Sequence, residues 1–331
     1  MSPPDSERPL NLNSRAAAGA TLADFQSEDA PMAACLKRAR LAAATDLPVL
    51  ILGESGTGKT LLAHALHNSS ARAARPFVAF NAAALSDGLL DSQLFGHERG
   101  AYTGAQRRVR GKFELADGGS LFIDEIADMS PSAQSKILRA VEYGEFERLG
   151  SEELQVADVR LISATHYPLQ KFTTSDRFRQ DLFFRISGIV LTIPPLRERP
   201  RDLPFLVVAE IAHASRKQGK RIVGLDQAAA DRLFGYSWPG NLRELSKVLQ
   251  AAVALAEGDV IDADTLLLEA TAPVVAASVP APAPPVEALT LAEAERRHVL
   301  SVLERLGGNK TRAARALGVS RSTLDRKLAS S

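Results

Sequence analysis

The stretch that decides the fold reads Gly53-Glu54-Ser55-Gly56-Thr57-Gly58-Lys59-Thr60. It matches the full pattern G-x-x-x-x-G-K-[ST] and lies between the apolar run Val49–Leu52 and a helical pattern through Leu61, Leu62, Ala65 and Leu66. This strand-to-helix setting favours phosphate binding, because the glycines let backbone N–H groups converge on phosphate oxygens at the positive end of the helix. We predict a nucleotide site with Lys59 at the β- and γ-phosphates and the Thr60 hydroxyl on Mg²⁺. The alternative is a glycine turn with an incidental lysine.

A second apolar run ends in two carboxylates. Residues 118–125 read Gly-Gly-Ser-Leu-Phe-Ile-Asp-Glu, so Asp124 and Glu125 follow a buried strand. Asp124 would hold Mg²⁺ and Glu125 would polarise the attacking water, since both tasks need anionic oxygen beside the phosphates. Acidic pairs after a strand are also common as solvated strand ends. The phosphate-binding stretch upstream favours the reading as a site that hydrolyses ATP.

The fold class follows from the spacing of apolar runs. Helical stretches separate the strand candidates, which predicts an α/β fold with a parallel sheet and crossover helices. The further candidates are Phe77–Phe80, Ser120–Ile126, Val159–Ala164 and Gly188–Ile193. A helix ahead of the first strand carries Met32, Leu36, Ala39 and Ala43 at helical spacing. After Pro195 the pattern is helical to about residue 270, with no further strand run.

Composition divides the chain into five segments. Residues 1–23 are polar and small and read as a disordered tail. We expect residues 24–195 to form an α/β ATPase core and residues 196–270 to form a helical subdomain, a lid by the family resemblance described below. Residues 271–288, rich in Ala, Val and Pro, read as a linker. Residues 289–331 form a small all-α domain.

The C-terminal segment has the pattern of a helix-turn-helix. Thr290 and Glu293 form a capping box for a first helix, and Asn309 and Ser320 can cap two shorter helices around a turn at Gly318. Leu291, Val299, Leu300, Leu303 and Leu306 lie along the first helix, Ala313, Ala314 and Leu317 face inward on the second, and Leu324 and Leu328 do so on the third. From Arg305 onward, seven basic residues stand against one acid, a local net charge of +6. We predict double-stranded DNA as its partner.

The DNA contacts divide by position. Residues at the start of the third helix would read base edges, whereas basic residues of the second would meet phosphates. The predicted set is Lys310, Arg312, Arg315, Arg321, Ser322, Thr323, Arg326 and Lys327. A merely solvated basic face is the alternative, and the turn at Gly318 argues against it.

Overall composition excludes several other classes of protein. The 331 residues carry a net charge of only +1 and a single cysteine, Cys35, so an intramolecular disulfide framework is excluded. No apolar run approaches the ~18 residues of a membrane span. The N-terminus has no apolar segment of the secretory type. We expect a cytoplasmic protein with no membrane partner.

Residues 94–105 read Leu-Phe-Gly-His-Glu-Arg-Gly-Ala-Tyr-Thr-Gly-Ala. This segment closely resembles the surface-loop signature of the bacterial enhancer-binding proteins, the AAA+ activators of RNA polymerase carrying sigma-54. The resemblance extends from about residue 24 to about residue 268 and again through the C-terminal segment, which resembles a Fis-type helix-turn-helix. It implies that one loop contacts sigma-54 directly, although Tyr102 stands where the family usually has Phe. The loop comprises Gly100, Ala101, Tyr102, Thr103, Gly104 and Ala105.

The resemblance also implies roles for polar residues around the predicted site. Asn81 would hold the catalytic glutamate inactive until the ring is engaged. Thr165 and His166 would monitor the γ-phosphate, with His166 where related ATPases often have Asn. Arg243, in the segment Trp238–Leu245, would touch the γ-phosphate from the lid. From the residues alone, Asn81 is more typical of a turn and His166 of an ordinary strand end.

Arg179 and Arg185 lie in a segment, 178–185, that resembles an arginine-finger segment. A guanidinium supplied by a neighbouring subunit can stabilise charge on the transferred phosphoryl group. The resemblance therefore implies a ring of identical subunits, expected to be a hexamer. From spacing alone, both arginines would be surface salt-bridge residues.

Together these features predict a sigma-54-dependent activator that binds upstream DNA and uses ATP and Mg²⁺ to remodel the closed promoter complex of sigma-54 RNA polymerase. One alternative is a DNA-binding repressor or scaffold that uses ATP only as a switch. Another is a general AAA+ remodeller, which has no use for the Gly100–Ala105 loop. Residues 1–23 are too few for a sensory domain. Control would come from a regulatory protein in trans or from a part absent from this chain.

Overall fold

A computed structural model describes residues 19–83, 87–173, 177–268 and 309–316, together with residue 324. The chain divides into two compact units, Met1–Leu268 and Glu269–Ser331. The first unit holds the predicted ATPase core and lid. The second holds the predicted DNA-binding segment.

The first part of unit one alternates helices with strands, as predicted. Its elements are, in chain order, α1 (Ala30–Ala43), β1 (Val49–Leu52), α2 (Lys59–Asn68), β2 (Phe77–Asn81), α3 (Asp87–Phe95), β3 (Gly96–His97), β4 (Val109–Arg110), α4 (Lys112–Leu115), β5 (Ser120–Asp124), α5 (Pro131–Tyr143), β6 (Glu145–Glu147), β7 (Leu154–Val156), β8 (Arg160–Thr165), α6 (Leu169–Thr173), α7 (Gln180–Ile186) and β9 (Ile189–Thr192). The α/β class is confirmed.

Five of these strands form one parallel sheet in the order β2-β5-β8-β1-β9. In its register Asn81 lies opposite Asp124, and Leu52 lies opposite Thr165. The carboxyl ends of parallel strands share one edge, so three polar strand ends and the glycine loop after Leu52 meet there. This edge is where an open α/β sheet binds its ligand.

The sheet is covered on both faces, which explains its continuous apolar strands. Leu50 packs on one side with Phe95 of α3 and Ile137 of α5. Its neighbour Ile51 packs on the other side with Leu36 of α1 and Leu62 of α2. Burying each such side chain stabilises the fold by about 1.5–3 kcal/mol.

The lid consists of α8 (Leu203–Gln218), β10 (Gly224–Leu225), α9 (Gln227–Gly235), α10 (Asn241–Leu255) and β11 (Val260–Ile261). The prediction of no further strand after Pro195 is wrong, because β10 and β11 pair in parallel. Each strand is two residues long and too short to show a period of two in the sequence. Trp238 is buried at the centre of the lid, and its Nε1 donates to the carbonyl oxygen of Leu233 at 3.1 Å.

The start of the fold also differs from the prediction. The predicted tail reaches residue 23, but Leu22 is buried and belongs to a 3-10 helix, Leu22–Asp24. Its backbone N–H donates to Ser69 Oγ at 2.8 Å, at the end of α2. A single leucine among small residues gives no periodic signal. Residues 1–18 of the predicted tail lie outside the described residues.

Two hairpins were not predicted. Strands β3 and β4 pair antiparallel, as do β6 and β7. The hairpins meet where His97 pairs with Leu149. The hairpin of β3 and β4 carries the Gly100–Ala105 loop at its tip, so it positions the segment predicted to contact sigma-54.

In the second unit, the described residues agree with a short capped helix. Helix α11 spans Lys310–Ala316, and Asn309 Oδ1 accepts from the backbone N–H of Arg312 at 3.1 Å, as an N-cap does. Ala314 and Leu324, both predicted to face inward, are buried. Lys310 and Arg312 are exposed. The linker, the first helix, Arg321, Ser322, Thr323, Arg326, Lys327 and the side chain of Arg315 lie outside the description.

Among the helices of the described residues, none combines the length and the apolar character that a membrane crossing requires. The one cysteine, Cys35, is buried.

Candidate active site

A cavity of about 410 Å³ opens at the carboxyl edge of the sheet. Three elements surround it: the glycine loop with the start of α2, the end of β5, and the lid helix α10. The lining residues are Ser55, Gly56, Gly58, Lys59, Thr60, Leu61, His64, Asp124, Glu125, Leu242, Arg243, Ser246 and Lys247. The phosphate-binding stretch and the paired carboxylates therefore share one cleft, as predicted.

The glycine loop takes a backbone path that needs glycine at two positions. Gly56 and Gly58 have φ values of +81° and +100°, in the left-handed region that costs other residues about 1–2 kcal/mol. Helix α2 begins directly after Gly58. The first-turn N–H groups of a helix lack intrahelical partners, and Lys59, Thr60 and Leu61 of this turn line the cavity, so an anion can bind there.

Lys59 is buried at the floor of this loop. Its Nζ donates to the carbonyl oxygens of Gly53 at 3.0 Å and Glu54 at 3.3 Å, and it lies 3.7 Å from Glu125 Oε1. The ammonium therefore sits between the loop and the carboxylate that would activate water. Its predicted contact with the β- and γ-phosphates stays a prediction.

Asp124 and Glu125 have unlike electrostatic surroundings. Burial and the neighbouring charge of Glu125 raise the pKa of Asp124, although Lys59 and Arg243 oppose the shift. Burial also acts to raise the pKa of Glu125, but the hydrogen bond from His166 and the charge of Lys59 lower it by more. Glu125 therefore remains ionised at neutral pH and can accept a proton or orient a water.

Glu125 terminates the strand because of its backbone. The prediction placed the strand as far as Ile126, but β5 ends at Asp124 and Glu125 has φ +52° and ψ +48°. A non-glycine residue in this region costs of order 1–3 kcal/mol, and such residues cluster at functional sites. The turn directs the Glu125 carboxylate toward the end of β8.

His166 is the direct partner of that carboxylate. Its Nδ1 lies 2.8 Å from Glu125 Oε2, and its backbone N–H donates to the same oxygen at 3.3 Å. Thr165, the last residue of β8, accepts from the backbone N–H of Tyr167 through Oγ1 at 3.1 Å. Sequence reasoning placed both residues near the γ-phosphate and did not foresee the contact between His166 and Glu125.

Asn81 lies at the same edge, opposite Asp124 in the register. Its Oδ1 accepts from the backbone N–H of Ala83 at 2.9 Å, the local bond that is typical of an Asx turn. Within the described residues, the Glu125 carboxylate is bonded to His166 and not to Asn81. The contact that the resemblance implies between Asn81 and Glu125 is therefore not made in this structure.

The lid closes over the glycine loop through direct polar contacts. Arg243 donates to Ser55 Oγ at 2.8 Å. Glu54 accepts from both terminal nitrogens of Arg197 at 2.6 and 2.8 Å and from Asn241 Nδ2 at 3.2 Å. Asn241 also donates to the Ser55 carbonyl at 3.1 Å. Arg197 and Asn241 were missed by the sequence analysis, although Asn241 lies inside the quoted segment that contains Arg243.

The cavity also fits the magnesium that nucleotide chemistry requires. Thr60 and Asp124 both line it and offer a hydroxyl and a carboxylate oxygen, the hard donors that Mg²⁺ prefers. No group of three or more His, Cys, Asp or Glu side chains within the described residues could hold a metal by itself. Mg²⁺ needs none, because it usually takes one or two protein ligands together with phosphate oxygens and water.

Arg179 and Arg185 do not line the cavity of their own chain. Arg179 is half-exposed and forms a bidentate pair with Asp181, at 3.0 and 2.6 Å, and it also donates to Ser135 Oγ. Arg185 donates to the carbonyl oxygens of Val141 and Glu142 at the end of α5. Both arginines are exposed, at the start and in the last turn of α7.

The loop Gly100–Ala105 is closed by its own backbone. Gly100 N–H donates to the Ala105 carbonyl at 2.9 Å, and Ala105 N–H donates to the Tyr102 carbonyl at 3.0 Å. Ala105 is buried, whereas Tyr102 and Thr103 are exposed. The Tyr102 ring rests edge-on against His97, with centroids 5.0 Å apart. The structure therefore presents Thr103 to solvent at the tip of a hairpin.

Three family descriptions match successive parts of the chain. The sigma-54 interaction domain matches residues 25–192. The AAA+ ATPase lid domain matches residues 197–278, and the bacterial regulatory protein, Fis family, matches residues 290–330. Their order agrees with the core, the lid and the C-terminal segment predicted from the sequence.

Individual relatives agree with these descriptions. The transcriptional regulatory protein ZraR of Klebsiella oxytoca is 47% identical over 301 residues, which is 91% of this chain and 67% of the relative. ZraR of Escherichia coli K12 is 44% identical over 88% of this chain and 65% of its own length. The Nif-specific regulatory protein of Klebsiella pneumoniae is 44% identical over 83% of this chain and 52% of its own length. The chain thus spans about two thirds or less of these relatives.

Solved structures share the fold. A crystal structure of NtrX from Brucella abortus in complex with ATP is 33% identical, with a TM-score of 0.67 over 92% of this chain and 68% of NtrX. The NtrX complex with ADP gives a TM-score of 0.68 over 95% of this chain and 70% of NtrX, also at 33% identity.

Proposed function

Because the chain belongs to the sigma-54 activator family of AAA+ ATPases, we propose that it hydrolyses ATP to remodel the closed promoter complex of sigma-54 RNA polymerase. The observation that carries this proposal is the shared cleft of Lys59, Asp124 and Glu125 in a chain that also exposes the Gly100–Ala105 loop. The first feature supplies the energy and the second meets the sigma subunit.

The residues of the cleft divide the chemistry among them. The N–H groups of the glycine loop and the Lys59 ammonium bind the β- and γ-phosphates. Glu125 accepts a proton from the attacking water as the water's oxygen bonds to the γ-phosphorus and the bond to the β-phosphate oxygen breaks. The products are ADP and inorganic phosphate. Thr60 and Asp124 would hold Mg²⁺, which would supply positive charge to offset that of the phosphates.

Contacts between the lid and the nucleotide couple hydrolysis to a movement of the lid relative to the core. Arg243 reaches the γ-phosphate from α10 while it contacts Ser55 of the glycine loop. Loss of the γ-phosphate removes a charge that holds the lid, so hydrolysis changes the angle between lid and core. We assign Thr165 and His166 to the γ-phosphate side of the same cleft and Asn81 to the control of Glu125.

The ring assembles so that one subunit completes the site of the next. Arg179 and Arg185 lie on the α7 surface, outside their own cavity, and supply guanidinium groups to the neighbouring site. Six subunits are expected. The ring acts in the cytoplasm, bound upstream of the promoter through the C-terminal residues Lys310, Arg312, Arg315, Arg321, Ser322, Thr323, Arg326 and Lys327. A regulatory protein in trans is a further expected partner.

Substitution of Glu125 tests the catalytic assignment. Glu125→Gln keeps the shape of the side chain and removes its basicity, so we expect turnover to fall by about 10²–10⁴-fold while ATP binding is retained. The measurement pairs steady-state phosphate release with the affinity for a fluorescent ATP analogue. Glu257→Gln is the control, because Glu257 is an exposed residue after α10 that does not line the cavity. Unchanged turnover in Glu125→Gln would refute the assignment.

A further inference from the structure

The catalytic carboxylate is anchored by one residue through two donors. Glu125 Oε2 accepts from both the backbone N–H and the ring Nδ1 of His166, at 3.3 and 2.8 Å. The Glu125 side chain is only 16% exposed, so these two donors meet it in a largely buried position. An ionised carboxylate only accepts hydrogen bonds, so Nδ1 must be the ring nitrogen that carries the hydrogen.

The two oxygens of Glu125 consequently have different surroundings. Oε2 has both donors from His166. Oε1 lies 3.7 Å from Lys59 Nζ, beyond a hydrogen bond, on the side of the carboxylate that meets the phosphate-binding lysine. One oxygen is thereby fixed and the other is left to accept a proton at the cavity.

The imidazole of His166 also packs against a neighbouring aromatic ring. The Tyr167 ring packs on the His166 ring with centroids 3.8 Å apart and an interplanar angle of 38°. The end of β8 fixes the backbone of this pair, since Tyr167 N–H donates to Thr165 Oγ1. The end of β8 and the tilted Tyr167 ring thus hold the imidazole that contacts Glu125, a residue whose own backbone is in the left-handed region.

We propose that His166 is a positioning residue that anchors Oε2 of Glu125 and so presents Oε1 to the attacking water. This role rests on the proposed ATPase function. It is separate from a contact between His166 and the γ-phosphate, because it acts on the carboxylate and not on the nucleotide. The positioning role requires a side-chain hydrogen-bond donor at the place of His166 Nδ1. The amide nitrogen of an asparagine side chain can supply that donor.

The test is the steady-state ATPase activity of the full chain in three variants. His166→Ala frees the carboxylate, and a misplacement of about 1 Å costs about 100-fold, so we expect kcat to fall by about 10- to 100-fold with an unchanged KM for ATP. His166→Asn restores the donor and should stay within about threefold of the parent protein. His213→Ala, in the lid helix α8, is the matched histidine control and should leave kcat unchanged.

A double variant separates positioning from a general loss of structure. His166→Ala should cost no further activity when Glu125 is already Gln, because the anchored group is then absent. A full kcat in His166→Ala, a rise in KM with kcat unchanged, an additive loss in the double variant, or a failure of His166→Asn to restore activity would each overturn the proposal. If Glu125→Gln retained the parent turnover, the proposed function would fail instead.

Discussion

Gly56 of the glycine loop lies directly against Gly240 and Arg243 of the lid segment. A Cβ on Gly56 would lie 2.3 Å from the carbonyl oxygen of Gly240 and 3.2 Å from Cβ of Arg243. An ordinary contact needs at least 3.4 Å. Alanine at Gly56 therefore forces the loop and the lid apart by about 1 Å, and its φ of +81° adds a strain of about 1–2 kcal/mol.

This separation acts on the contacts that close the cleft. The Arg243–Ser55 and Asn241–Ser55 bonds measure 2.8 and 3.1 Å, so a shift of about 1 Å takes both beyond hydrogen-bonding range. Loss of two bonds at about 1 kcal/mol each weakens ATP binding by roughly 10- to 30-fold. Because these bonds also stabilise the nucleotide-free fold, their loss and the strain at Gly56 together should lower the free energy of unfolding by about 3–4 kcal/mol.

The assay is titration of a fluorescent ATP analogue, with urea unfolding in parallel. Gly235→Ala is the matched control, because a Cβ there meets nothing within 4 Å and its φ is not left-handed. It should bind the analogue with the parent affinity. If Gly56→Ala also bound with the parent affinity, the lid contacts would not contribute to nucleotide binding and the reasoning would be refuted.

Three further predictions concern the fold. Burial raises the pKa of the Cys35 thiol to about 11. At pH 8 its alkylation by iodoacetamide should therefore be at least about 100-fold slower in the folded protein than in urea. Equal rates would contradict the burial of this thiol. Ser130 caps α5 by accepting from Ala133 N–H at 3.4 Å, and Ser130→Ala should lower the free energy of unfolding by about 1 kcal/mol in urea titration. Leu50→Ala, in the core, should lower it by about 2–5 kcal/mol, against less than about 0.5 kcal/mol for the exposed Leu47→Ala.

The sheet and the nucleotide site were predictable because their signals are local. Strands buried on both faces give continuous apolar runs such as Val49–Leu52, and the phosphate-binding pattern fixes the turn that follows. The boundary at Asp124 was not predictable, since it depends on the left-handed backbone of Glu125. The order of the strands was not readable either, because it depends on contacts between residues far apart in the chain.

The contacts among the site residues had no signal in the sequence. The pattern that identified His166 is a strand end, and it does not say which side chain the imidazole meets. Its bond to Glu125 arises because β5 and β8 are neighbours in the sheet and both end at the same edge. The pair formed by Glu54 and Arg197 likewise joins residues 143 positions apart. Sequence patterns thus predicted the fold and the location of the site. The hydrogen bonds and ion pairs between its side chains could be read only from the tertiary structure.

The most direct measurement is promoter melting by sigma-54 RNA polymerase in the presence of a Thr103→Ala variant. Thr103 is exposed at the loop tip and lies outside the nucleotide cavity. ATP turnover should therefore persist within about threefold of the parent rate, while open-complex formation, followed by permanganate reactivity of the promoter, should be lost. If the variant hydrolysed ATP and opened the promoter as the parent protein does, ATP hydrolysis would not act through this loop.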